Sequence, residues 1–263
     1  MFQLEKIKKK LEEQELLVGA NVLFDDSDIS ELFGFAGCDY VWIDLEHAPL
    51  NPKDVERHII GAHAGGAAAF VRLPWNDMVM AKQILDMGPD GIIVPLIRSA
   101  KDARDAVEFC SYPPKGVRGW NPIRAVEYGC VDANWYIEHV DSLIWKILMI
   151  EHIDAVEDLE QILAVPGIDG IMIGPSDLTG SMGCLLQNDT PEFWGMIQRI
   201  TQLAKAAGKV IGVALPADSS RETLGKWMDY GVQMVSVGQD ANFLANTVRR
   251  NVQMAREAFT ERD

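Results

Sequence analysis

Polar and charged side chains follow four apolar runs of this sequence, and they are the residues best suited to chemistry. They are Asp44, Glu46 and His47 in IDLEHAP, Arg72 in FVRLPWND, Glu151 in ILMIEHID, and Ser176 and Asp177 in MIGPSDL. Carboxylate oxygens bind hard divalent cations, imidazole moves protons near neutral pH, and guanidinium binds anions. The set therefore indicates a metal-assisted or acid–base reaction on a small molecule.

Glu151 and Asp177 are the best candidates for a metal site. Two carboxylates from neighbouring strands can hold one Mg²⁺ or Mn²⁺ and leave positions open for water and substrate. Alternatively, each carboxylate caps the helix that follows it. The residues alone leave both interpretations open.

The other candidates also have two interpretations each. His47 is a base or proton relay that Asp44 orients, or its ring bonds a loop carbonyl. Arg72, inside an apolar strand, needs an anionic partner, which is a structural carboxylate or a substrate anion. Arg118 and Arg124 lie in a segment broken by glycine and proline, where they bind a second acidic group of the substrate or cover the surface.

Eight apolar runs rich in valine and isoleucine predict strands that are buried on both faces. They are Leu16–Phe24, Tyr40–His47, Ala68–Pro74, Gly91–Ile97, Ile144–Ile153, Gly170–Pro175, Lys209–Leu215 and Gln233–Gly238. Helical patterns alternate with them at Met78–Asp86, Ala100–Phe109, Ala155–Leu163, Pro191–Ala207, Ser220–Tyr230 and Ala241–Phe259. We therefore expect one (β/α)8 TIM barrel over residues 1–263, opened by an amphipathic N-terminal helix. An open doubly wound sheet is less favoured, since its G-x-G-x-x-G fingerprint is missing after the first run.

A barrel of this kind carries its chemistry at the C-terminal ends of the strands, where the candidates fall. Alternation along the fifth strand predicts that Trp145, Ile147, Met149 and Glu151 point inward, whereas Lys146 faces the helices. No lysine ends the strands that carry the candidates, which argues against Schiff-base chemistry.

Composition excludes several classes of partner. The formal net charge of −15 argues against nucleic acid. No apolar run approaches the roughly 18 residues of a membrane span. The four cysteines form no C-x-x-C pair, so we expect reduced thiols in a cytoplasmic protein.

Five motifs in collinear order resemble the HpcH/HpaI aldolase family of metal-dependent class II pyruvate aldolases. They are WIDLEHAP, VRLPWND, YPPKGVRG, IEHIDAVEDLEQIL and GIDGIMIGPSDL. The resemblance implies a (β/α)8 barrel that cleaves a 4-hydroxy-2-oxo acid to pyruvate and an aldehyde through a metal-stabilised enolate. It also implies a homo-oligomer, commonly a hexamer, whose C-terminal helix is exchanged between subunits.

The resemblance also assigns roles to residues. It implies that Glu151 and Asp177 bind Mg²⁺, Mn²⁺ or Co²⁺, and that Arg72 binds the keto oxygen of the pyruvate unit. His47 would be the acid/base residue, supported by Asp44 and Asp86, and the backbone amides around Ser176 and Asp177 would take the substrate carboxylate.

One departure concerns Met149, because the family often has glutamine at this position, so a polar contact near the metal or pyruvate is expected to be missing. Three rival functions remain. They are a citryl-type lyase that acts on another oxo acid or acyl-CoA, a phosphosugar isomerase or epimerase, and a non-catalytic barrel.

Overall fold

Eight parallel strands close into a barrel in the computed structural model, which describes residues 3–260. The strands are β1 (Leu17–Val22), β2 (Tyr40–Asp44), β3 (Ala68–Arg72), β4 (Gly91–Val94), β5 (Trp145–Ile150), β6 (Gly170–Ile173), β7 (Val210–Ala214) and β8 (Met234–Gln239). Each strand pairs with the next in sequence, and β8 pairs with β1. The closed (β/α)8 barrel predicted from the sequence is confirmed.

Helices surround the barrel and connect its strands. They are α1 (Gln3–Glu12), α2 (Asp28–Phe35), α3 (Pro52–Ala64), α4 (Met78–Asp86), α5 (Ala100–Cys110), α6 (Ala133–Leu143), α7 (Ile153–Glu157), α8 (Leu159–Leu163), α9 (Pro175–Ser181), α10 (Pro191–Ala206), α11 (Arg221–Asp229) and α12 (Asp240–Thr260). The segment Arg124–Gly129 forms 3₁₀-type turns that are interrupted where Glu127 and Tyr128 adopt positive φ. The predicted helix Ala155–Leu163 is thus two short helices that meet at Asp158. The first two residues of the predicted opening helix lie outside the described part of the chain.

Two apolar clusters divide the core. One lies between the strands and the outer helices. The other fills the barrel with large side chains, among them Tyr40, Trp42, Phe70, Trp145 and Met149. Helix α1 adds Leu4 and Ile7 to this inner cluster, so it closes the N-terminal end of the barrel.

Side-chain alternation in β5 follows the prediction. Trp145, Ile147 and Met149 belong to the inner cluster, whereas Lys146 is buried outside the barrel with its Nζ 3.8 Å from Asp141. Gly19 on β1 leaves space for the large side chain of Tyr40 inside the barrel, because a Cβ at position 19 would lie 2.4 Å from the Tyr40 ring. The N-terminal end of the barrel is closed and its interior is filled. We therefore expect a ligand-binding site at its C-terminal end.

The strands are shorter than predicted at that end. Strand β2 ends at Asp44 rather than His47, and β5 ends at Ile150 rather than Ile153. The polar residues therefore lie on the turns just beyond the strands.

Candidate active site

Arg72 and Asp44 form the centre of the polar cluster at the C-terminal end of the barrel. They are aligned as the last residues of the paired strands β3 and β2. Arg72 Nε donates to Asp44 Oδ1 at 3.0 Å and Nη2 donates to Oδ2 at 2.5 Å. Both side chains are buried, so this two-pronged pair satisfies charges that would otherwise be expensive to bury. The anionic partner expected for Arg72 is a structural carboxylate.

Glu46 is a second partner of Arg72, a role that was not predicted for it. Its Oε2 lies 2.9 Å from Arg72 Nη1, an ion pair without the alignment of a hydrogen bond. Burial raises the pKa of Glu46, and the charges of Asp44 and Asp177 raise it further, while Arg72 lowers it. Its position two residues after Asp44 is the signal that could have placed it on the same side of the chain.

Met149 supplies the remaining contact of Arg72. Nη1 of Arg72 donates to the Met149 Sδ at 3.7 Å. A thioether sulfur is a weak acceptor. The side chain faces inward as predicted, and its contact with Arg72 is weak.

Glu151 directly follows β5 and is 3% exposed. Its Oε1 accepts the backbone N–H of Leu96 at 2.7 Å. Leu96 has φ of 54°, a left-handed conformation that is uncommon for a residue with a side chain. Gly174 approaches from β6, where a Cβ would lie 2.8 Å from Glu151 Oε2. The carboxylate of Glu151 is therefore held between the C-terminal ends of β4, β5 and β6.

The environment of Glu151 disfavours its negative charge. Burial raises the pKa of Glu151 to about 7, and the charges of Glu46 and Asp177 add to the rise. The Leu96 N–H and Arg72 act in the opposite direction. A cation placed among these carboxylates would relieve their repulsion, and their oxygens are the donors that hard divalent cations prefer.

Neither Glu151 nor Asp177 caps a helix through its side chain. The side chain of His152 accepts the N–H of Asp154 at the start of α7. Gly174 is the N-cap of α9 and makes no side-chain cap. Asp177 lies in the first turn of α9 and is exposed beside Ser176. Neither carboxylate therefore makes the hydrogen bond that the capping interpretation requires.

Between residues 3 and 260, no group of three or more His, Cys, Asp or Glu side chains is arranged to hold a metal ion. Two carboxylates are nevertheless a sufficient protein contribution for Mg²⁺, which keeps several waters and binds substrate oxygens.

The expectation that Asp44 orients the ring of His47 needs a correction. Asp44 Oδ1 accepts the backbone N–H groups of Glu46 at 2.9 Å and His47 at 3.3 Å. The His47 side chain is 59% exposed, and its Nε2 lies 3.8 Å from Glu46 Oε2. Asp44 therefore fixes the turn that carries His47, and Glu46 is the carboxylate beside the ring.

The structure also corrects the placement of Asp86, Arg118 and Arg124. Arg118 is buried over the ring of Tyr112 and donates to Asp86 Oδ1 at 2.8 Å. Arg124 donates to the carbonyl of Met87 at 2.6 Å. These residues end α4 or lie between α5 and β5, which is the N-terminal end of the barrel. Within one chain they do not reach the cluster around Glu151.

The fold and this cluster define a (β/α)8 barrel that carries buried carboxylates and one arginine at the C-terminal end of its strands. Known proteins of this class match the chain. Residues 22–247 match the HpcH/HpaI aldolase/citrate lyase family. The chain is 32% identical to the hydroxypyruvate/pyruvate aldolase of Roseobacter denitrificans, over 93% of this chain and 94% of the relative. It is 35% identical to the 4-hydroxy-2-oxovalerate aldolase of Rhodococcus jostii, over 90% and 91%. A solved HpcH/HpaI aldolase from Desulfitobacterium hafniense DCB-2 superposes with a TM-score of 0.88 at 28% identity, covering 95% of this chain and 96% of that one.

The chain therefore belongs to the HpcH/HpaI aldolase/citrate lyase family. Together with its aldolase relatives, this membership identifies it as a carbon–carbon lyase. Across residues 3–260, no helix is both long and apolar enough to cross a membrane.

Proposed function

We propose that this protein is an aldolase that reversibly cleaves a 4-hydroxy-2-oxo acid into pyruvate and an aldehyde, with a divalent metal ion as cofactor. The observation that carries the proposal is the convergence of Arg72 with the carboxylates of Glu151 and Asp177 at one end of the barrel. The names of two relatives support the substrate class, since one is a hydroxypyruvate/pyruvate aldolase and the other a 4-hydroxy-2-oxovalerate aldolase.

Glu151 and Asp177 are the proposed ligands of Mg²⁺, Mn²⁺ or Co²⁺. The raised pKa of Glu151 supports this assignment, because a carboxylate surrounded by other carboxylates gains most from a bound cation. When bound, such a cation supplies Lewis-acid stabilisation of the negative charge that develops on the 2-oxo oxygen.

The protein side chains divide the remaining work. Arg72 donates from Nη1 to the 2-oxo oxygen, since Nε and Nη2 are already held by Asp44. A hydrogen bond from a charged donor contributes about 1.5–3 kcal/mol. The backbone N–H groups of Ser176 and Asp177, in the first turn of α9, lack partners within the helix and bind the substrate carboxylate.

His47 is the proposed group that moves the proton of the 4-hydroxyl, directly or through a water. Its exposure gives it access to a substrate bound at the barrel mouth, and Glu46 lies beside its ring. Asp44 acts as a positioning residue, because it holds both Arg72 and the turn that carries His47.

A pyruvate-release assay tests the proposal. EDTA should abolish cleavage of 4-hydroxy-2-oxo acids, Mg²⁺, Mn²⁺ or Co²⁺ should restore it, and Glu151→Gln should not recover. Borohydride with pyruvate should leave the protein unmodified; a trapped adduct would refute the metal-dependent route. Turnover of a citryl-CoA thioester in place of the oxo acid would support a citryl-type lyase instead.

Helix α12 supports a homo-oligomer, and the family resemblance suggests a hexamer. All residues from 246 to 260 are exposed, so this part of the helix stands away from the barrel. Leu244, Val248 and Val252 are spaced by four residues and form an exposed apolar stripe. Light scattering should show an assembly that Val248→Asp disrupts, and a monomeric wild type would exclude it. Any role of Asp86, Arg118 or Arg124 at an active site requires such a neighbouring copy.

A further inference from the structure

The loops at the C-terminal end of the barrel carry more acidic than basic residues. They are the segments between each strand and the helix that follows it, and they hold the acidic residues Asp25, Asp26, Glu46, Asp77, Glu151 and Asp218. Arg98 is the one lysine or arginine among these loops in the described chain. It lies beside Asp102, whose carboxylate accepts its backbone N–H at 3.1 Å.

The buried cluster has little positive charge to offer a second anion. Asp44, Glu46, Glu151 and Asp177 with Arg72 carry a formal charge of −3, which a divalent cation reduces to −1. Binding of the pyruvate carboxylate makes the occupied site more negative again. Arg72 is also largely engaged, because Asp44 holds Nε and Nη2, and the remaining nitrogen, Nη1, is the one proposed to bind the 2-oxo oxygen.

Exposed apolar side chains lie at the same end of the barrel. Phe24 and Trp75 lie on the loops after β1 and β3, and Leu185 and Leu186 lie on the segment between α9 and α10. Apolar residues at a site mouth favour an uncharged ligand by the area that they remove from water.

We propose that the aldehyde half of the substrate is uncharged, with an aliphatic chain, and that this protein discriminates against aldehydes with a carboxylate or phosphate. The inference rests on the proposed aldolase function and specifies its substrate class. The physical basis is repulsion by the acidic loops in a site whose one buried arginine is already paired.

The test compares an anionic and a neutral acceptor with the same carbon chain, 4-oxobutanoate and its methyl ester, in aldol addition to pyruvate with Mn²⁺ at pH 8. The ester should have a kcat/KM at least tenfold higher at low salt. The ratio should shrink as NaCl rises, because salt screens repulsion between exposed charges. The double variant Asp25→Asn, Asp218→Asn should also shrink it, whereas a matched control at the other end of the barrel, Glu13→Gln with Asp229→Asn, should leave it unchanged.

Equal or better use of 4-oxobutanoate would overturn the proposal and would indicate that Arg98 or a neighbouring copy supplies a cation. A preference for the ester that neither salt nor the double variant changes would also overturn it, since repulsion would not be the cause. Exchange of the pyruvate methyl protons with D₂O, measured by NMR without any aldehyde, tests the aldolase function separately. Absence of exchange refutes that function, whereas exchange together with a preference for the carboxylate refutes only the acceptor class.

Discussion

Replacement of Glu151 by glutamine should change how the stability of the metal-free protein depends on pH. The pKa of Glu151 rises from the ordinary value of 4.5 to about 7 on folding, chiefly because of burial. This difference corresponds to about 3 kcal/mol. Below pH 4.5 the side chain is neutral in both states, so the contribution is fully present. As the pH rises towards 7 the unfolded chain ionises first, and the stability contribution is lost.

Glutamine has no such titration and keeps the acceptor oxygen for the Leu96 N–H. The free energy of unfolding of the wild type, minus that of Glu151→Gln, should therefore fall by about 3 kcal/mol between pH 4.5 and 7 and stay flat above it. Urea unfolding in EDTA, followed by tryptophan fluorescence at one fixed protein concentration, measures this difference.

A second arm adds Mn²⁺ at pH 8. The cation should stabilise the wild type and leave Glu151→Gln nearly unaffected, because only the carboxylate gains from it. Parallel stability curves for the two proteins across pH 4.5–8 in EDTA would show that Glu151 is not desolvated, and the reasoning would fail.

Three further changes test separate parts of the site. Arg72→Lys keeps the charge but loses the two-pronged bond, so kcat should fall at least tenfold with an unchanged circular dichroism spectrum; normal turnover would remove Arg72 from the mechanism. Gly174→Ala should weaken Mn²⁺ binding, measured by calorimetry, because its Cβ would lie 2.8 Å from Glu151 Oε2; Gly195→Ala, whose Cβ meets nothing within 4 Å, is the control and should bind normally. Asp86→Asn leaves buried Arg118 without its ion pair and should lower the free energy of unfolding by about 3 kcal/mol with kcat retained; a loss of kcat at wild-type stability would instead place Asp86 in a neighbouring active site.

The strands were predictable because burial on both faces leaves near-continuous apolar runs. Their ends were not, since the runs continue into turns whose polar residues are fixed by tertiary contacts. Helix α3 was not predicted although its sequence carries a capping box, in which Asn51 and Asp54 bond each other's backbone N–H groups. Helices α2, α6 and α9 also went unpredicted.

The location of a candidate residue was predictable where chain position alone decides it. Arg72, Glu151 and Asp177 follow or end strands, so all three had to lie at one end of a barrel. The contact from Leu96 was beyond sequence reasoning, because it depends on a left-handed backbone at a residue other than glycine. Arg118 and Arg124 were misplaced although their segment follows a helix and precedes a strand, an order that puts it at the opposite end of the barrel.

The contacts of Arg72 are compatible with its proposed role, in which an arginine already paired with a carboxylate still binds a substrate oxygen. Asp44 holds Nε and Nη2 rigidly, so the guanidinium plane is fixed before anything binds. Nη1 is shared between Glu46, in a poorly aligned ion pair, and the weakly accepting sulfur of Met149. An oxygen that arrives at Nη1 therefore displaces little, whereas an amide at position 149 would compete for the same N–H. In this interpretation Met149 keeps one donor of a preorganised arginine available, and the acidic neighbours of that arginine limit how much negative charge the substrate can bring.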